Sequence, residues 1–272
     1  RAADLEGEAD REYLEAGIAF AEQRPQDVEN ALTKAIHAGR GKEHHFYLRG
    51  HVRYTMAQLI PPGEKRQKTA EASLADLDES LRQRPNYGHA LYMRAALKFD
   101  FFDRIAAQQD FLSAVRVNPR SAQAWHGLGL YYQKMGDGGR AIDAFGRGIE
   151  ADPRSVKCLT SRGMQKHVKG DLPGARADYE AALKVDPRFF DARLNYAALL
   201  TKVSGDAAAL EELNRMLVDF PQRATVYHMR GRVYARMGKL RECVADLERA
   251  IQMGDRDPEN QAIIDEAKKH IK

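Results

Sequence analysis

The chain has 272 residues, 43% of them hydrophobic and 30% charged, a balance that suits a folded chain in water and excludes a disordered tail. Its 43 basic and 39 acidic residues leave a net charge of +4, an excess too small to argue for a nucleic-acid partner. No apolar run reaches the roughly eighteen residues of a membrane span, the opening Arg1 to Glu8 lacks a secretory core, and two cysteines are too few for a disulfide framework. The expectation is a reducing, cytoplasmic compartment without membrane insertion, with organelle import left open because the chain begins on Arg1 and not Met.

A fixed step organises the elements. Pro85, Pro119, Pro153, Pro187 and Pro221 follow one another at intervals of 34, and other columns keep the same step. Small residues recur at Ala95, Gly129, Gly163, Ala197 and Gly231, and again at Ala107, Ala141, Ala175, Ala209 and Cys243. A large apolar column runs Phe111, Phe145, Tyr179, Leu213, Leu247. Each unit therefore reads as helix, glycine turn, helix and proline-marked exit, because small residues let two helices approach and proline disfavours helix in the residue before it. One such hairpin cannot bury its apolar face alone, whereas stacked neighbours can.

In chain order, Tyr13, Gly17, Leu32 and Ala35 mark a unit from about 10 to 42, and Phe46, Gly50, Leu77, Ser80 and Pro85 mark one from 43 to 87. The second has roughly eleven surplus residues, since Gly50 to Ala95 is 45 where the step is 34. The surplus, Leu59 to Thr69, holds Pro61, Pro62, Gly63 and a Lys/Arg cluster, and predicts an extended loop at about 59–69, read as a tolerated insertion or a basic contact loop. Five regular units follow at 88–121, 122–155, 156–189, 190–223 and 224–257. After Asp257, Pro258 and Glu259 start a last helix at 258–272, whose stripe of Ile263, Ile264, Ala267 and Ile271 would cap the open end of the stack.

The unit at 122 carries Trp125, Leu128, Gly129, Tyr132, Gly136, Ala141, Phe145 and Pro153, with Gly148 where alanine is usual, and resembles the tetratricopeptide repeat (TPR) family. The resemblance implies an all-α fold, a right-handed α-solenoid of about seven helix-turn-helix repeats with a C-terminal capping helix. It also implies a concave groove lined by the first helix of each pair. Carrying the family's groove places onto this chain selects Tyr47, His51, Tyr54, Tyr92, Met93 and Phe99 toward the N-terminus and His126, His167, Asn195, His228, Arg232 and Arg236 toward the C-terminus. The aromatic-to-basic gradient suits a peptide or partner subunit with an apolar anchor and an acidic portion.

Members that grip chaperone tails carry lysine and asparagine at the fifth and ninth places of one unit. Here those places read Tyr47 and His51, Tyr92 and Ala96, His126 and Leu130, Thr160 and Met164, so the carboxylate clamp is missing. No nucleophile, base and orienting group stand at recognisable spacing, no cofactor motif follows a strand, and no histidine pair has metal-chelating spacing on one helix, so neither an enzyme, a cofactor nor a metal is expected. Cys243 falls in the small-residue column and reads as inert, while Cys158 is left open between a buried and a reactive thiol. The leading reading is a non-catalytic interaction scaffold. Its rivals are an RNA-associated repeat protein, from Tyr and His interleaved with Arg and Lys, and the repeat region of a larger enzyme or regulator.

Overall fold

The computed structural model describes residues 24–271, and among these there are helices and turns but no strands. The weakest of the sequence-defined units has only its second helix there, so Tyr13 and Gly17 lie outside the described residues. By backbone contacts the chain divides into two compact units, Arg1–Asp137 and Gly138–Lys272. The division falls at the turn inside the repeat that best matches the signature.

In the first unit, α1 (Pro25–Ala35) runs into a π-helical turn, Ile36–Arg40, and is followed by α2 (Glu43–Leu59), α3 (Glu64–Gln83), α4 (Gly88–Phe101), α5 (Arg104–Val117) and α6 (Ala122–Lys134). In the second, α7 (Gly138–Ala151), α8 (Val156–Val168), α9 (Leu172–Val185), α10 (Phe190–Val203), α11 (Asp206–Asp219), α12 (Ala224–Arg236) and α13 (Leu240–Gln252) precede α14 (Pro258–His270). Within each unit every helix packs on its neighbour in sequence. First helices also meet across repeats: α2 touches α4 and α4 touches α6, and in the other unit α8 touches α10 and α10 touches α12.

Local chemistry sets the ends. Asp103, Ser121, Ser155, Asp171 and Asp257 each accept a first-turn N–H, which satisfies a donor that the helix cannot. In the Asp-Pro-Arg exits, Asp152 and Asp186 accept the N–H of Arg154 and Arg188, both at 2.9 Å, so the aspartate closes the turn that the proline opens. Between paired helices, Gly170 and Gly238 take φ of 85° and 70°, a left-handed conformation that a Cβ would strain.

The small column works by close approach. A Cβ on Gly163 would stand 2.8 Å from the Tyr179 ring, and one on Gly231 would stand 2.8 Å from Leu247. The large column is fully or nearly buried, with Phe145, Tyr179, Leu213 and Leu247 sealed from solvent. Each such side chain contributes about 1.5–3 kcal/mol of burial. At the C-terminus, Ile264 and Ala267 of α14 close over Cys243, Val244 and Leu247, while Ile263 and Ile271 pack at the margin.

The predicted loop at 59–69 requires correction. Only Ile60 to Gly63 separate two helices, and α2 and α3 have 17 and 20 residues where α4 and α5 have 14 each. Seven of the eleven residues from Leu59 to Thr69 are therefore helical, and the connection is only four residues long. Beyond Gly63 the segment Glu-Lys-Arg-Gln-Lys-Thr-Ala-Glu-Ala consists of residues that mostly favour helix, with no glycine or proline to stop it. Arg66 places its guanidinium 4.8 Å from the centre of the Phe101 ring, which ties the added turns to the next repeat.

Candidate functional site

On α2, Tyr47, His51 and Tyr54 recur at four and three residues and share one helix face, and on α4 Tyr92 and Phe99 lie seven residues apart. All five are half-buried. The Tyr47 ring lies 5.2 Å from Tyr87 and 6.1 Å from both His51 and His89, while Phe99 stands 6.0 Å from Tyr131. Tyr54 donates to Asp100 Oδ2 at 2.7 Å, and Gln58 donates to both the Tyr54 hydroxyl and Asp100. Burial, then the Asp100 carboxylate, pushes the Tyr54 phenol upward, and burial pushes the His51 imidazole below its ordinary range. Both groups are thus neutral near pH 7. His126, on α6 of the same unit, is half-buried.

Met93 does not belong to this face. Only 5% of it is exposed, because at one residue past Tyr92 its side chain turns into the core beside Leu97. Tyr92 itself is shared between surface and packing. It meets the Phe111 ring at 6.1 Å, and a Cβ on Gly127 would stand 2.7 Å from each of those two rings.

The basic end, in the second unit, is already met by the chain's own carboxylates. His228 Nδ1 lies 2.8 Å from Asp255 Oδ2, Arg232 lies 2.8 Å from Glu259 and 3.5 Å from Asp257, and Arg236 donates to Asp206 at 2.6 Å. His228 and Arg232 therefore secure the turn that leads into α14. Asn195 donates to the Asp191 carbonyl of its own helix at 2.8 Å. His167 is half-buried, and burial followed by the nearby Lys202 lowers its pKa. The positive charge that the sequence assigns to a partner's acids is thus spent largely inside the protein.

A second pattern escaped the sequence reading. Arg49, Arg94, Arg162 and Arg230 on first helices each grip a buried aspartate on the second helix of the same pair, Asp76, Asp110, Asp178 and Asp246, through two hydrogen bonds of 2.6–2.9 Å. Arg53, Lys98 and Lys166 add a second cation to the first three aspartates. The signal was present as arginines at 94, 162 and 230 and aspartates at 110, 178 and 246, a step of 68. Alternate repeats replace the pair, by Leu128 with Ala144 and by Tyr196 with Glu212. A buried carboxylate gripped by two guanidinium hydrogen bonds holds the two helices of its pair together.

Cys158 and Cys243 are both buried free thiols, and burial raises both pKa values, so Cys158 resolves to the buried alternative. Among the described residues no helix is long and apolar enough to cross a membrane.

Paired helices whose first members display side chains while their small and large columns close the core define a helical-repeat interaction module. Comparison with known proteins narrows the class. One tetratricopeptide repeat model matches residues 168–224 and another matches 122–155 and 224–253. Over 133 residues the chain is 32% identical to anaphase-promoting complex subunit 3 of Schizosaccharomyces pombe, covering 49% of this chain and 20% of that protein. Over 154 residues it is 27% identical to serine/threonine-protein phosphatase 5 of Rattus norvegicus, covering 55% of this chain and 29% of the other. Among solved structures, a tetratricopeptide repeat protein from Parabacteroides merdae matches with a TM-score of 0.68 at 15% identity, covering 96% of this chain and 99% of its own. The Cut9–Hcn1 hetero-tetramer of the APC/C matches with a TM-score of 0.64 at 15% identity, over 94% of this chain and 55% of that one. The chain is a tetratricopeptide repeat protein. It spans between 10% and 29% of the length of the curated relatives it matches.

Proposed function

We propose that this chain is a non-catalytic interaction scaffold that holds a peptide segment of a partner on the aromatic face of its first unit, within a larger assembly in a cytoplasmic, reducing compartment. The observation that carries the reading is the row of Tyr47, His51 and Tyr54 on α2 beside Tyr92 and Phe99 on α4. Large rings left half-buried at a surface supply most of the energy of an interface when a partner covers them. The Schizosaccharomyces pombe relative is a subunit of a complex, which agrees with a partner-bound role. Because Arg232 and His228 already bind Asp255, Asp257 and Glu259, the anchor is aromatic and the contribution of the basic end is secondary.

The test is site-specific photo-crosslinking. A benzophenone side chain at Tyr47, Tyr54 or Phe99 should trap the native partner, whereas one at exposed Glu71 of α3 or Arg176 of α9 should not. Adducts formed only from the second-helix positions would overturn the assignment of the face.

A further inference from the structure

A cavity of about 260 Å³ lies in the first unit between the start of α4, the last turn of α5 and the start of α6. Two of its polar groups are already engaged, Ser121 as the cap of α6 and Gln123 with Tyr92. Arg84, Asn86 and His89 stand on its wall with Asn118, Ser121 and Gln123, and none of its lining residues is an aspartate or glutamate. The wall is thus rich in groups that donate hydrogen bonds and carries one permanent positive charge. The Arg84 guanidinium rests 5.2 Å from the centre of the Tyr87 ring, and its ion pair with Glu43 is long, at 3.7 Å.

The two helix starts on the cavity differ. Ser121 accepts the N–H of Ala124 and so caps α6, whereas Tyr87 at the N-cap of α4 makes no side-chain cap hydrogen bond. The uncapped first turn of α4, with Gly88 and His89 on the cavity wall, adds partial positive charge beside Arg84. Tyr87 and His89 also pack on Tyr47, at 5.2 and 6.1 Å, so the cavity adjoins the aromatic face.

We propose that this cavity is a carboxylate-binding subsite that receives one aspartate or glutamate side chain of the bound peptide, next to the residue anchored on Tyr47. The inference rests on the peptide-binding reading above. One guanidinium among neutral amide donors matches a single negative charge, whereas a phosphate dianion calls for a cluster of cations. Arg84, Asn86 and Gln123 are not the places of the chaperone-tail clamp, which this chain lacks.

The test titrates N-acetyl-glutamate N-methylamide into the full ¹⁵N-labelled chain, with the glutamine counterpart and inorganic phosphate as separate arms. Saturable shifts of the Gly88, His89 and Gln123 amides are expected with the glutamate probe in the roughly millimolar range. Arg84→Gln, at a side chain 60% exposed whose contacts are the Tyr87 ring and the long Glu43 pair, should weaken that binding about tenfold or more while resonances away from Tyr87 and Glu43 stay in place. Equal shifts with the glutamine probe, tighter binding of phosphate, or no saturable shift in a natively dispersed spectrum would each overturn the carboxylate assignment. If photo-crosslinks at Tyr47 persist with Arg84→Gln at unchanged partner affinity, the subsite falls and the peptide face stands. If crosslinks fail while the glutamate shifts remain, the peptide reading falls and the cavity's chemistry stands.

Discussion

Asp178→Ala should cost about 2 kcal/mol of stability, between the several kcal/mol of a broken buried pair and the fraction of one typical of exposed pairs. The carboxylate is 5% exposed and accepts from Arg162 at 2.6 and 2.9 Å and from Lys166 at 2.9 Å. Removing it strands two cations, but their side chains are 25% and 21% exposed and recover part of their hydration, which is why the buried-pair figure must be reduced. For a chain of this size the loss corresponds to a fall in Tm of roughly 4–8 °C. Urea unfolding followed by circular dichroism measures it, and a double-mutant cycle with Arg162→Leu isolates the pair. The chain contains its own control, because the unit at 122–155 places Leu128 and Ala144 in the same two columns. Arg162→Leu combined with Asp178→Ala copies that solution and should recover most of the lost stability. A single Asp178→Ala change below about 0.5 kcal/mol, within the usual scatter for surface positions, would refute the claim that the pair pins α8 to α9.

Other outcomes follow from the packing and the titrating groups. Gly163→Leu drives a side chain into the Tyr179 ring and should destabilise by about 1–3 kcal/mol or more, read from the urea midpoint. Arg232→Ala removes the contacts to Asp257 and Glu259, and hydrogen exchange over 258–270 should accelerate well before exchange in α8 or α10. Burial holds His45, His51 and His167 below the ordinary imidazole range, so their neutral forms are favoured in the folded state. Their contribution is complete above the unfolded value near 6.5 and is lost as pH falls from there toward the lowered folded values, so the urea midpoint should drop between about pH 7 and pH 5. His51→Gln should flatten that slope; an unchanged slope would mean that His51 titrates normally.

The repeat was legible because it rests on local rules written many times. The prolines at the repeat exits stop their helices by a local rule, a small residue recurs wherever a large ring or leucine presses on its column, and the step of 34 follows from the columns alone. The insertion was misread because Pro61, Pro62 and Gly63 are strong punctuators, although they stop only α2 and the residues after them extend α3. Met93 was misplaced for a similar reason, since the groove places come from a generic helix face and one residue of rotation moves a side chain from surface to core.

The site divides along the same line. Sequence determines which residues stand on the exposed face of each first helix, because that depends on position within a period. It does not determine their partners. That Arg232 is satisfied by Glu259, 27 residues away, that Asp100 accepts from Tyr54 across 46 residues, and that Arg84 overlooks a cavity without a carboxylate all depend on the stacking of successive pairs. Side-chain ends several bonds from the backbone are positioned by neighbours in space, and which neighbours those are is decided by the packed helices and not by the period.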